Sequence, residues 1–384
     1  MGRNSKNKKA LLQRIIHIIF LIIGMGTGFF LALYLKSTLI IASSEQLSKK
    51  LLYIIVVLIT MYISLFIQII IHEAGHLIFG LLTGYKFRSF RIFNLMFIKE
   101  EECIRLKKLS LAGTAGQCLM APPDIKNGKM PVILYNLGGV ITNIITGLAF
   151  FGLYCISASI PLLADAMIIS SVLAFIFAIS NGIPLKTQTI NNDGHNTLEL
   201  LCNENAKQAF FTQMKIAEKN AENIRLKDMP EEWFTLQNDE AIKSSLAATI
   251  NVFACNRLMD ELKFEEADKL MQHLLETDNG VIGLHKKLMI CDRIYIELIS
   301  ANNAETLNRL RSKEQQKFMK QMRNFPTVIR TEYLYALLAE KDIKKAEKLK
   351  AQFEKCAKTY PYQSDIQSER ELIEIGEKAN TSEF

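Results

Sequence analysis

The hydrophobic and polar positions divide this chain into two halves of different character. Four long apolar runs lie before about residue 185, at 15–35, 51–71, 131–156 and 162–181. Each approaches or exceeds the roughly 20 residues a helix needs to cross a bilayer. From about Asn203 onward, apolar residues alternate with charges at helical spacing, as in water-soluble helices. The pattern predicts an α-helical membrane protein with about four transmembrane helices, followed by an all-α soluble domain. Three parts are expected: a tail, first span and external loop over 1–50, a membrane core over 51–200, and a helical domain over 201–384.

The connection between the second and third runs is long. Residues 85–98 and 104–111 alternate imperfectly around Glu100-Glu101-Glu102, which predicts a β-hairpin at the membrane interface. An exposed strand edge there suits capture of an extended peptide; a plain interfacial loop is the alternative. Gly113 to Cys118 and Pro122-Pro123 mark irregular backbone with no assignable chemistry. In the second half, 264–270, 304–310 and 343–349 share a pattern of aromatic or Leu, then small residues. Their spacing of about forty residues is near the period of helical-hairpin solenoids, and the packing resembles tetratricopeptide repeats. An irregular helical domain is the alternative. A solenoid groove would bind a peptide or protein partner.

Charge adds direction. The net charge is +7, but Lys and Arg flank the apolar runs instead of forming a patch with interleaved aromatics. Nucleic acid is therefore not an expected partner. Arg3, Lys6, Lys8 and Lys9 precede the first run, and nine basic residues from Lys86 to Lys129 fill the long connection. The positive-inside rule puts both in the cytoplasm, and an even number of spans brings the C-terminal half there too. Lys36, Lys49 and Lys50 dilute that bias. The first run exceeds a signal-peptide core, so a retained span is expected. Seven cysteines without a CxxC pair argue against a disulfide framework or a cysteine metal site, and reduced thiols fit a cytoplasmic domain.

Candidate chemistry begins where the second run ends, at His72-Glu73-Ala74-Gly75-His76. Residues four apart share a helix face, so both imidazoles can hold one metal. Glu73 sits about 100° round the helix, where it can act as general base on a water at that metal. Zinc suits the pattern because it lowers the pKa of water towards neutrality. Three ionisable residues in a membrane helix need a reason, because burying them is costly; an interfacial cluster is the plain alternative. If the helix enters the bilayer at Leu51, His72 lies about 32 Å along it, at the far surface; entry several residues later puts the site inside the bilayer, and either way it lies towards the cytoplasmic face. A catalytic zinc wants a third protein ligand and one open position. Asp193 follows the inward-running fourth span and is the favoured ligand, with His195 the competitor and an ordinary Asp-Gly turn the plain alternative. Gly139, Asn143 and Gly147 share one face of the third run, and Asn143 either faces the site or makes an interhelical packing bond. His273 and His285 lack nearby ligand partners.

Together these elements resemble the site-2 protease family of intramembrane zinc metalloproteases. The resemblance covers about residues 51–196. His72-Glu73-Ala74-Gly75-His76 is similar to the family's HExxH. Gly138 to Asn143 is similar to its small-Gly-Pro-x-x-Asn stretch, with Val140 in place of the Pro. Asn181-Gly182-Ile183-Pro184 with Asp193-Gly194 is similar to its Asn-x-x-Pro … Asp-Gly motif, with a longer spacer. The resemblance implies Zn2+ held by His72, His76 and Asp193, Glu73 as base, and Asn181 and Asn143 at the substrate. It implies a membrane-spanning or membrane-proximal peptide or protein as substrate. Two other classes compete. One is a metal-stabilised membrane binding module, which has no need of Glu73. The other is a transporter, for which no inverted repeat is visible.

Overall fold

The computed structural model describes residues 47–101, 103–123, 131–157, 159–186 and 191–381. The expected first span at 15–35 lies outside the described residues. Among the described residues the protein is mostly helical, with thirteen α-helices and one four-stranded antiparallel sheet. The chain forms two compact units.

The first unit holds α1 (Leu47–Leu82), α2 (Val132–Ile156), α3 (Pro161–Gly182) and the start of α4 (Asp193–Cys202). The first three are long and apolar enough to cross a membrane. They match the second, third and fourth apolar runs, except that α1 continues past Ile71 through the motif to Leu82. At 1.5 Å per residue α1 is about 54 Å long, well beyond a hydrocarbon core of about 30 Å. Pro161 opens α3, where its missing N–H leaves no helical bond unmade. The outward faces carry exposed Leu58, Ile63, Ile145, Leu148 and Leu162. The inward faces pack Val57, Ile169 and Leu173 together but also hold many small or polar residues: Ser64 Oγ meets Ser170 Oγ at 2.9 Å, and Ser171 Oγ donates to the Gly147 carbonyl at 2.8 Å. Apolar residues facing outward with small and polar ones between the helices is the pattern expected when lipid is the solvent and small residues let helices approach.

The second unit begins with a sheet of β1 (Lys86–Ile92), β2 (Leu95–Glu100), β3 (Cys103–Lys108) and β4 (Gly116–Ala121) in the order β3-β2-β1-β4. The expected hairpin needs correcting. The turn between Glu100 and Cys103 joins β2 to β3, but the run 85–98 breaks into two strands at Phe93-Asn94, where Phe93 has φ 52°. The stretch with no assignable role, Gly113 to Cys118, leads into β4, which pairs with β1. Met96 and Ile98 are fully buried in one core with Met271, Ile294 and Leu334. The sheet therefore groups with the helical unit, and Gly84–Met130 falls outside the membrane unit although 51–200 was expected as one core.

The helices of this unit are α5 (Glu204–Ala221), α6 (Ser245–Asp260), α7 (Phe264–Glu276), α8 (Gly283–Ile299), α9 (Ala304–Leu310), α10 (Lys313–Gln321), α11 (Pro326–Leu334), α12 (Ile343–Ala357) and α13 (Gln363–Thr381). Ser244, Asn303, Ser312 and Asp342 cap helices through side-chain oxygens, the usual use of these residues. The three repeat-like segments open α7, α9 and α12 and bury Ala267, Leu307 and Ala346. Helix lengths between α7 and α12 vary from 7 to 17 residues, so the interval recurs without a uniform helix pair. Arg330 is fully buried, 2.6 Å from Asp292 and 3.2 Å from Glu369, with its guanidinium 4.5 Å above the Tyr295 ring. With Arg225, Asp260 and Asp365 it lines a cavity of about 170 Å³.

Candidate metal centre

Glycines make the space for this site. Gly75 on α1 and Gly138 on α2 face each other so closely that a Cβ on either would overlap the other's backbone. A Cβ on Gly139 would stand 2.6 Å from the His72 ring, so the missing side chain is the room the imidazole occupies. The helices cross here because the sequence offers small residues on both sides.

His72 and His76 lie one turn apart with ring centroids 4.9 Å apart. Both are buried, as is Glu73 between them. His76 Nδ1 lies 2.8 Å from the Tyr135 carbonyl, which only accepts, so Nδ1 carries the proton. His72 Nδ1 lies 2.7 Å from Asn143 Oδ1. Each ring thus uses Nδ1 for support and keeps Nε2 for the centre, the arrangement that orients metal-ligating histidines.

Asp193 arrives from the link after α3. Asn192 ties that link: its Oδ1 accepts from Leu185 N (3.0 Å) and His195 N (2.9 Å), and its Nδ2 donates to the carbonyls of Ser180 (2.8 Å) and Ile183 (2.7 Å). It caps the first turn of α4 and fastens it to the end of α3 at once. Gly194 packs against the Gly182 carbonyl so tightly that a Cβ would overlap it.

The result is one convergent point. Asp193 Oδ2 lies 3.0 Å from His72 Nε2 and 3.4 Å from His76 Nε2, and the two Nε2 atoms are 3.3 Å apart. Tetrahedral zinc with bonds of about 2.0–2.1 Å separates its ligands by about 3.3–3.4 Å. Two imidazole nitrogens and a carboxylate oxygen turned to one point can share a single cation, and the set fits zinc. Among the described residues, these three form the one such group of His, Cys, Asp or Glu.

The expected residues fall as follows. His72, His76 and Asp193 come together, with Glu73 beside them in the same turn. His195 is not in the convergent group. Asn143 needs correcting as a substrate-binding residue. It is fully buried and both ends of its amide are engaged, Oδ1 by His72 and Nδ2 by Gln68 at 2.8 Å, so it orients His72. Asn181 turns its amide back to the Phe177 carbonyl at 3.0 Å on its own helix. His273 pairs with Asp239 at 2.8 Å, and burial pushes His285 down to about 4. Sequence reasoning missed Gln68 and Asn192. For Asn192 a signal existed: Asn directly before a short amphipathic segment reads as an N-cap. Comparison of the chain with protein-family models, curated proteins and solved structures returned no match.

Proposed function

We propose that this chain is a zinc-dependent intramembrane metalloendopeptidase of the site-2 protease type. One observation carries the proposal: His72 Nε2, His76 Nε2 and Asp193 Oδ2 meet at tetrahedral ligand spacing beside a buried glutamate. Zinc there would supply Lewis acidity, polarising the scissile carbonyl and making a water acidic. The protein's own share is distinct. Glu73 takes the proton of the attacking water and returns it to the departing amine. Asn143 and the Tyr135 carbonyl hold the two imidazoles in register.

The substrate is a membrane-spanning or membrane-proximal peptide or protein. Exposed Ile67, Ile78, Leu81 and Leu82 flank the motif on both sides, which supports a site within reach of lipid. The distribution of Lys and Arg supports a multi-pass protein with both termini and the helical domain in the cytoplasm. That domain would engage a peptide or protein partner.

The test is Glu73→Gln in full-length protein purified in detergent. Zinc should remain at wild-type stoichiometry. Cleavage of single-span peptides carrying a helix-weakening Gly or Pro should fall about 10²–10⁴-fold, the usual worth of a general base. Wild-type cleavage by the metallated variant would sink the proposal.

A further inference from the structure

Among the polar side chains that the membrane unit buries outside the proposed chemistry, one amide stands against the metal centre's own supports. Gln68 lies one turn before His72 on α1 and is fully buried. An amide in a membrane helix is costly unless its polar atoms are bonded, so its partners indicate why it is there. Its Nε2 lies 3.4 Å from the Ser170 carbonyl on α3, and its Oε1 lies 2.8 Å from Asn143 Nδ2 on α2. Asn143 Oδ1 then lies 2.7 Å from His72 Nδ1. The chain of bonds joins all three helices and ends on a residue of the metal centre.

The direction of this chain is fixed from its far end. The Ser170 carbonyl is a backbone oxygen and can only accept. Gln68 must therefore turn its NH₂ to Ser170 and its oxygen to Asn143. Asn143 must then turn its NH₂ to Gln68 and its oxygen to His72. Facing an oxygen, His72 Nδ1 carries the ring proton, and Nε2 is left as a lone pair aimed at the point shared with His76 and Asp193. Were Asn143 turned over, its NH₂ would face Nδ1 and the ring proton would move to Nε2, where a metal must bind.

We propose that Gln68 is the positioning residue that sets the metal-binding tautomer of His72, passing the polarity of the Ser170 carbonyl through Asn143. His76 receives the same instruction in one step from Tyr135. The proposal rests on the metal centre described above and concerns how that centre is kept ready for its ion.

The experiment measures zinc affinity by chelator competition on full-length protein in detergent, with the visible spectrum of the cobalt-loaded form as a second readout. Gln68→Met keeps length and volume but removes both polar atoms. It should weaken zinc about tenfold, the lower end for a supporting residue, and reduce the tetrahedral cobalt absorption. Gln68→Glu, which still accepts from Asn143, should stay within about threefold of wild type. In an Asn143→Asp background the carboxylate accepts whatever Gln68 does, so adding Gln68→Met should cost little more. Loss of equal size in both backgrounds would mean Gln68 acts by packing alone and would overturn the proposal, as would wild-type affinity in Gln68→Met. A wild-type protein that binds neither zinc nor cobalt overturns the proposed function instead, so the two failures are distinguishable.

Discussion

At the residue scale, the chemical groups of the site were legible and their supports were not. HExxH announces itself because three ionisable residues at the end of an apolar run are costly to bury unless something binds them. Asp193 could be placed because an even number of spans returns the chain to the same membrane face. Asn143 was harder: an amide both donates and accepts, so its type says nothing of which neighbour it serves. Gln68 was invisible for the same reason. Gly139 yields a sharp prediction here. A Cβ at this position would stand 2.6 Å from His72 Cε1 and Nδ1. Ala is the better helix former by up to about 1 kcal/mol, but overpacking costs about 1–3 kcal/mol, and the ring is pinned by Asn143. Gly139→Ala should therefore weaken zinc at least tenfold while helicity by circular dichroism is unchanged. Wild-type zinc affinity would mean that the ring has room to yield.

At the element scale, the long apolar runs gave the second and third described membrane helices almost to the residue, because lipid demands unbroken apolar length, whereas α1 runs on to Leu82, eleven residues past its apolar run. The sheet was only half legible. Its strands are short, and β1 carries Arg88 and Arg91, which blur the alternation; Arg91 is fully buried and donates to the carbonyls of Phe93 and Gly116. The link from α3 to α4 read only as a longer spacer, yet Asn192 gives it four side-chain bonds. Replacing that residue tests the element. Asn192→Ala should cost about 0.5–2 kcal/mol as a lost cap and release Asp193 from its place. Zinc affinity should fall tenfold or more, and amide exchange should quicken over the first turn of α4. Asn192→Asp keeps the acceptor half and should fall between. If exchange in α4 is unchanged by Asn192→Ala, the cap does not hold Asp193.

At the scale of the whole molecule, the two units keep their polar groups for different purposes. The membrane unit turns His72, His76 and Asp193 to one point, the candidate metal centre. The helical unit buries a network of Arg225, Asp260, Asp292, Arg330, Asp365 and Glu369 that no sequence pattern announced, since its members come from distant segments. Asp365 is its weak point. Burial is the largest influence, and it pushes this carboxyl from 3.8 up to about 7 despite hydrogen bonds from Asn220 and Tyr360. The sign follows from proton counting. Between about pH 4 and pH 7 the folded state keeps a proton that the unfolded chain has lost, so folding weakens as pH rises through that window and stays weakened above it. The shift corresponds to about 4 kcal/mol as an upper bound; the residue as a whole is only half-buried, and solvent screening brings the expected cost to about 1–3 kcal/mol. Asparagine cannot ionise. Asp365→Asn should therefore stabilise the helical unit by that amount at pH 8 and by almost nothing at pH 4. Trp233 is the single tryptophan of the chain and packs in the helical unit beside Met229 and Phe234. Its fluorescence during denaturant unfolding in detergent reports that unit apart from the membrane helices. Equal stabilisation at both pH values would show that Asp365 acts through packing or hydrogen bonding and not through its proton.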